Sequence, residues 1–171
     1  VSSRLLHAAP VTIINNDDYV KPMALEKSGF YPFYINQSNQ KSQMEKVKEI
    51  INDKMDEGYK FSDIAIISRI WTSVNDISNY LNDKNIPTNI IKQNDSNLSK
   101  NTVKAMTIHG IKGLEFKFVI AIDLNKDILP YKTDDFDQDT LTRERKLLYV
   151  AMTRSKKELY LISYNESSEF I

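Results

Sequence analysis

The chain has 171 residues, the size of one ordinary domain, and 41% of them are hydrophobic, enough for a packed core and too many for a disordered tail. Lysine plus arginine and aspartate plus glutamate both total 23, so the net charge is near zero and a free-standing basic nucleic-acid binder is disfavoured, although a local basic patch remains open. There is no cysteine, which excludes disulfides, thiolate zinc sites and cysteine nucleophiles. No apolar run approaches the roughly 20 residues needed to cross a bilayer, and the opening VSSRLLHAAP has no signal-peptide pattern. A soluble cytoplasmic protein is expected, and the valine start suggests a piece of a longer chain.

Residues 1–35 read as a lead-in segment packing on a domain that runs from 36 to 171. LLHAAPVTIINND resembles the tail of a helix weakened by Pro10. GFYPFYIN (29–36) is aromatic and β-prone and reads as a strand. From Gln40 to Glu57 the pattern is helical, with Met44, Val47, Ile51 and Met55 on one face. Ser42 and Glu45 have capping-box spacing, and Gly58 supplies the stop. FSDIAIISR (61–69) holds a continuous apolar run, the mark of a strand buried on both faces. WTSVNDISNYLNDK (71–84) reads as a helix through Val74, Ile77 and Leu81, and IPTNIIK (86–92) as a short strand. A polar loop (93–101) leads to strands at 103–108 and 116–124. An acidic loop (125–139) precedes a helix at 140–154 with Leu141, Leu148 and Ala151 on one side, and ELYLISY (158–164) closes the series as a buried strand. Strands alternating with helices predict a three-layer α/β/α fold around a mostly parallel sheet, with ligands at the carboxyl ends of the strands.

The densest chemistry lies in TIHGIKGLEF (107–116), which holds two of the chain's four glycines and one of its two histidines. Glycine permits positive φ and close approach of a ligand to the backbone. Lys112 and Glu115 bracket Gly113, placing a donor and an acceptor beside exposed amides; an ordinary tight turn with solvated charges is the plainer alternative. Neither GxxxxGK[ST] nor GxGxxG can be built from Gly29, Gly58, Gly110 and Gly113, so the main phosphate cradle is not in this chain. Asp123, at the end of an apolar strand, has the position of a magnesium-binding aspartate, but without a phosphate loop it reads as a strand-end or turn residue. His7 and His109 have no partner at ligand spacing, so no metal site is expected. Arg69 follows a buried strand and Arg154 ends a helix; singly, each suits a solvated position or a helix dipole. Together, two guanidinium groups at sheet edges suit a transferring phosphoryl group.

Three segments, in this order, resemble the UvrD/Rep/PcrA-type superfamily 1 helicases: FSDIAIISR their motif IV, VKAMTIHGIKGLEFKFVIAIDL their motif V, and RERKLLYVAMTRSKKELYLI their motif VI. The intervening ILPY and the helix at 40–57 also resemble family features, so the likeness covers roughly 36–164. It implies the second RecA-like domain of an ATP-dependent DNA motor, with the phosphate loop and the magnesium-binding acidic pair on a separate N-terminal RecA-like domain. By the same likeness Arg154 falls on the arginine finger and Arg69 on an arginine touching the γ-phosphate. Glu115, with Gly113 and Lys112 beside it, falls on the ribose contact, and Thr107 and His109 on single-stranded DNA contacts that do not read sequence. ATP with Mg2+ is the implied cofactor, and 3′-to-5′ translocation the implied activity. A catalytically inert helicase-like scaffold is the alternative. Two features depart from the family: residues 70–102 leave no room for the large accessory subdomain of well-studied members, and Gly110 stands where serine or alanine is usual.

Overall fold

The computed structural model describes residues 31–92, 96–132 and 137–171. The helix tail expected before Pro10 lies outside these residues, as do the start of the strand expected at 29–36 and part of the acidic loop. Strands β1 (Phe33–Gln37), β2 (Ile64–Ser68), β3 (Thr88–Ile90), β4 (Val103–Thr107), β5 (Phe116–Ala121) and β6 (Ser155–Tyr164) form one sheet in the order β1-β6-β5-β2-β4-β3. Every pairing between these strands is parallel. Helices α1 (Gln40–Asp56), α2 (Trp71–Asp83) and α3 (Gln138–Met152) cover its faces. The domain boundary expected after residue 35 falls inside β1, which pairs with β6 along its whole length.

Strand alternation explains the layers. In β2, Ile64 and Ile66 pack with Val47, Ile50 and Ile51 of α1 and Ile77 and Leu81 of α2, whereas Ala65 and Ile67 pack with Leu148, Ala151 and Met152 of α3. β5 divides the same way: Phe118 and Ile120 join α1 and α2, and Val119 and Ala121 join α3. Successive side chains point to opposite faces, so a strand apolar at every position must lie between two layers. Each fully buried isoleucine contributes roughly 1.5–3 kcal/mol. This is the three-layer α/β/α arrangement the sequence predicts.

Local signals set the helix ends. The N-cap of α1 is Asn39, not Ser42: Ser42 N–H donates to Asn39 Oδ1 (2.9 Å), and Asn39 N–H donates back to Ser42 Oγ (3.2 Å). Ser42 is therefore the third residue of the capping box rather than its first. Gly58 (φ +85°) turns the chain out of α1 and lets Tyr59 N–H reach Lys54 O at 3.0 Å. Asp137 caps α3 by accepting from Thr140 N–H at 2.7 Å.

Residues 108–115 differ most from expectation. They read as a turn between neighbouring strands, but β2 lies between β4 and β5. Because both strands run parallel to β2, the segment leaves the carboxyl end of β4 and returns to the amino end of β5. It descends over the α3 face, held by Ile108 N–H to Ser68 O (2.9 Å) and by the buried side chain of Ile111. Local pattern carries no information on strand order, so a rim-to-rim crossover and a tight turn look alike in sequence.

Candidate functional site at the two rims of the sheet

At the amino rim, where strands begin, β5 and β6 start side by side, with Phe116 paired to Ser155. Phe116 N–H donates to Arg154 O at 3.0 Å, which fixes the residues before both strands next to each other. Arg154 lies just past the C-cap of α3, half-buried, with Nε donating to Val150 O at 3.2 Å. Its cation therefore sits on the negative end of the α3 dipole. Glu115 is exposed and pairs with Lys156 (Oε2 to Nζ, 2.8 Å). Gly113, at φ +85°, makes the last bend before this rim, and nothing lies within 4 Å of a Cβ built there, so its need for glycine is conformational rather than steric. Lys112 beside it is exposed. Further along, Lys157 donates to Tyr59 Oη at 2.9 Å, and Lys117 pairs with Asp63 at 3.0 Å. Cations at this rim are matched by carboxylates, Lys156 by Glu115 and Lys117 by Asp63.

At the carboxyl rim, β4 ends at Thr107, whose side chain is buried and whose Oγ1 accepts from Gly110 N–H at 3.3 Å. Gly110 has ordinary φ, and a Cβ there would stand 3.3 Å from Thr107 O. At 110 a side chain would meet the close packing of the turn rather than an unfavourable φ. His109 is exposed, and its pKa is lowered by partial burial and then by the nearby Arg69 cation, against a smaller opposing effect of Glu144. Arg69, the first residue after β2, forms a two-pronged pair with Glu144 of α3, through Nε–Oε2 (2.7 Å) and Nη2–Oε1 (2.9 Å). Its guanidinium also lies over the Tyr131 ring at 4.8 Å.

The register separates the two arginines. Arg69 lies two steps past the Ile67–Ala121 pair, whereas Arg154 precedes Ser155, which is level with Phe116. At about 3.3 Å per strand residue the offset is roughly 25 Å along the sheet. They stand on opposite rims, and the expected convergence of both guanidinium groups on one phosphate is not found. Likewise the residues expected to touch nucleotide do not gather at the carboxyl ends of the strands: Glu115 and Arg154 share the amino rim. Nothing in the local sequence around Arg69 reveals Glu144, its partner far along the chain.

Asp123 proves to be a structural residue. It is 1% exposed at φ +57°, its Oδ1 accepts from Gln43 Nε2, its Oδ2 accepts from Ser68 Oγ (3.2 Å), and its own N–H donates to Gln43 Oε1 (3.0 Å). Among the described residues no group of three or more His, Asp or Glu side chains is placed to hold a metal ion, and no helix is long and apolar enough to cross a membrane.

Comparison with known proteins points one way. A family model described as the UvrD-like helicase C-terminal domain matches residues 2–96 and 91–166. The ATP-dependent DNA helicase Rep of Buchnera aphidicola subsp. Schizaphis graminum is 46% identical over 63 residues, 37% of this chain and 9% of that protein. Rep of Escherichia coli K12 is 32% identical over 81 residues, 47% of this chain and 12% of that protein. The ATP-dependent DNA helicase PcrA of Leuconostoc citreum is 46% identical over 59 residues, 34% of this chain and 8% of that protein. The chain spans about a tenth of the length of these curated relatives. The crystal structure of the C-terminal domain of a possible DNA helicase from Lactobacillus plantarum WCFS1 superposes with a TM-score of 0.65, covering 83% of this chain and 79% of that one at 20% identity, a likeness of fold.

Proposed function

The chain belongs to the UvrD-like helicase C-terminal domain family, and from that premise we propose that it is the second RecA-like half of an ATP-driven DNA helicase or translocase. In this reading the amino rim closes over ATP held by an N-terminal RecA-like domain, which supplies the phosphate loop and the ligands of Mg2+. Arg154 presents its guanidinium to the γ-phosphate and stabilises the charge that grows during phosphoryl transfer, a role worth about 10³–10⁵ in rate. Glu115 accepts from the ribose hydroxyls, while Gly113 and Lys112 bring backbone and a cation alongside. Single-stranded DNA lies along the carboxyl rim. There His109 is the exposed contact, Thr107 shapes the turn beneath it, and Arg69, removed from the nucleotide, belongs to the same rim as the strand. The motor would run 3′ to 5′.

The observation that carries the reading is the hydrogen bond from Phe116 N–H to Arg154 O, which puts Glu115 and Arg154 side by side at the amino rim. The test uses the full-length protein. Arg154→Ala is expected to abolish ATP turnover on single-stranded DNA while nucleotide still binds; wild-type turnover in that variant removes the catalytic assignment. The chain by itself is expected to show no ATPase activity. A degraded phosphate loop in the companion domain would favour the inert scaffold instead.

A further inference from the structure

Three neighbouring strands in the middle of the sheet, β4, β2 and β5, are each followed at the carboxyl rim by an exposed ring. His109 comes after β4, Trp71 opens α2 just past β2, and Tyr131 lies in the loop that follows β5. Trp71, the chain's only tryptophan, and Tyr131 are each 45% exposed. One exposed aromatic residue is ordinary. Rings at the ends of three adjacent strands, which span about 10 Å across a sheet, form a group. Tyr131 is held in place, because Arg69 lies over its ring at 4.8 Å and its N–H donates to Glu144 of α3 at 3.2 Å. Arg69 is also only two residues before Trp71, so it links the two rings in the fold. The charges of the group cancel, since Glu144 takes both prongs of the Arg69 guanidinium. What remains for a ligand is flat apolar area in separate pieces with polar groups between them. That suits nucleobases spaced along a strand better than the continuous apolar face of a protein partner.

We propose that Trp71 and Tyr131 are stacking residues for unpaired bases, so that the carboxyl rim grips single-stranded DNA by its base faces as well as by its backbone. This rests on the reading of that rim as the DNA side and adds the mode of contact. Every base has a π face, so such a grip tolerates any sequence but requires that the base be present. Arg69 serves from behind, steadying the Tyr131 ring by a cation–π contact. Neither ring carries a charge, so losing one should weaken binding without altering its salt dependence.

The experiment measures binding of the full-length protein, by fluorescence anisotropy over a series of salt concentrations, to labelled oligothymidylate and to an abasic oligonucleotide of the same length and charge. Trp71→Ala is expected to weaken binding of oligothymidylate about five- to thirtyfold, the size of one lost base stack. Binding of the abasic strand should stay as in the wild type, and so should the slope of log affinity against log salt. Tyr131→Leu should act in the same way, whereas Trp71→Phe and Tyr131→Phe should keep most of the preference for the strand that carries bases. Equal weakening toward both oligonucleotides in Trp71→Ala and Tyr131→Leu would make these side chains backbone contacts or supports of the fold, and overturn the proposal. If His109→Ala weakens binding and Trp71→Ala and Tyr131→Leu do not, stacking is overturned while the rim remains the DNA side. If none of the three variants changes the affinity for either oligonucleotide, the reading of the rim fails and the stacking role fails with it.

Discussion

Arg69 and Glu144 face each other through two parallel hydrogen bonds of 2.7 and 2.9 Å, and the same carboxylate accepts Tyr131 N–H at 3.2 Å. Their side chains are only 18% and 9% exposed. One cluster therefore ties the end of β2, the loop before α3 and α3 itself. Removing one member leaves a partly buried charge without its partner. Glu144→Ala is expected to cost about 2–4 kcal/mol, below the full range for buried pairs because the arginine keeps some access to water. Arg69→Lys should cost less but lose the two-pronged geometry. Urea unfolding of the isolated chain measures both, and a loss under about 0.5 kcal/mol in Glu144→Ala would deny the cluster its structural role.

The same carboxylate sets a pH dependence. Burial alone would raise the Glu144 pKa, but the Arg69 hydrogen bonds, the Tyr131 N–H and the Arg69 charge outweigh it and hold the carboxyl below the ordinary range. A folded-state pKa depressed in this way adds stability above the unfolded value. That stability is lost as pH falls through the ordinary carboxylate range toward the folded value. The wild type should therefore lose stability faster than Glu144→Gln between about pH 5 and pH 3. Parallel curves for the two proteins would contradict this.

The separation of the rims predicts separable kinetic defects. In the full-length protein, His109→Ala, at an exposed carboxyl-rim position, should raise the oligonucleotide concentration for half-maximal ATPase stimulation severalfold, as for a lost phosphate contact. KM for ATP should not move. A change confined to KM for ATP would place His109 with the nucleotide instead.

Gly113 and Gly110 should respond differently to added bulk. Gly113 holds φ +85°, so Gly113→Ala is expected to cost about 1–2 kcal/mol even though the space around it is empty. Gly113→Asn should be milder, because asparagine tolerates this region, and Gly113→Val worse. At Gly110 the backbone is ordinary and the obstacle is Thr107 O at 3.3 Å. Alanine there requires a shift of a few tenths of an ångström, and valine a larger one. Thermal denaturation of the variants distinguishes the two patterns.

Much of the fold was legible because its signals are local. The apolar run in β2 announced burial on both faces, and helix periodicity placed α1, α2 and α3 within a few residues of their observed ends. Strand order was not legible, since β2 comes between β4 and β5 through pairings that no short window encodes. The cap of α1 was misplaced by three residues because Asn39 and Ser42 both have suitable side chains, and only geometry shows which one stands outside the helix. For the site, motif likeness picked out Arg154 and Glu115, and the structure sets them on one rim. It also picked out Arg69, where the short sequence gave no hint that a glutamate of α3 was waiting for that guanidinium.

The segment 108–115 joins the end of β4 to the start of β5 with Ile111 anchored midway in the core. Its backbone is coiled into successive turns, closed by Gly110 N–H to Thr107 O, Lys112 N–H to His109 O and Leu114 N–H to Ile111 O. Inserting a single residue after Gly113 would leave each named side chain chemically intact and Ile111 in its seat, yet it would move Glu115 out of step with Arg154. Length, as much as composition, is what this stretch contributes.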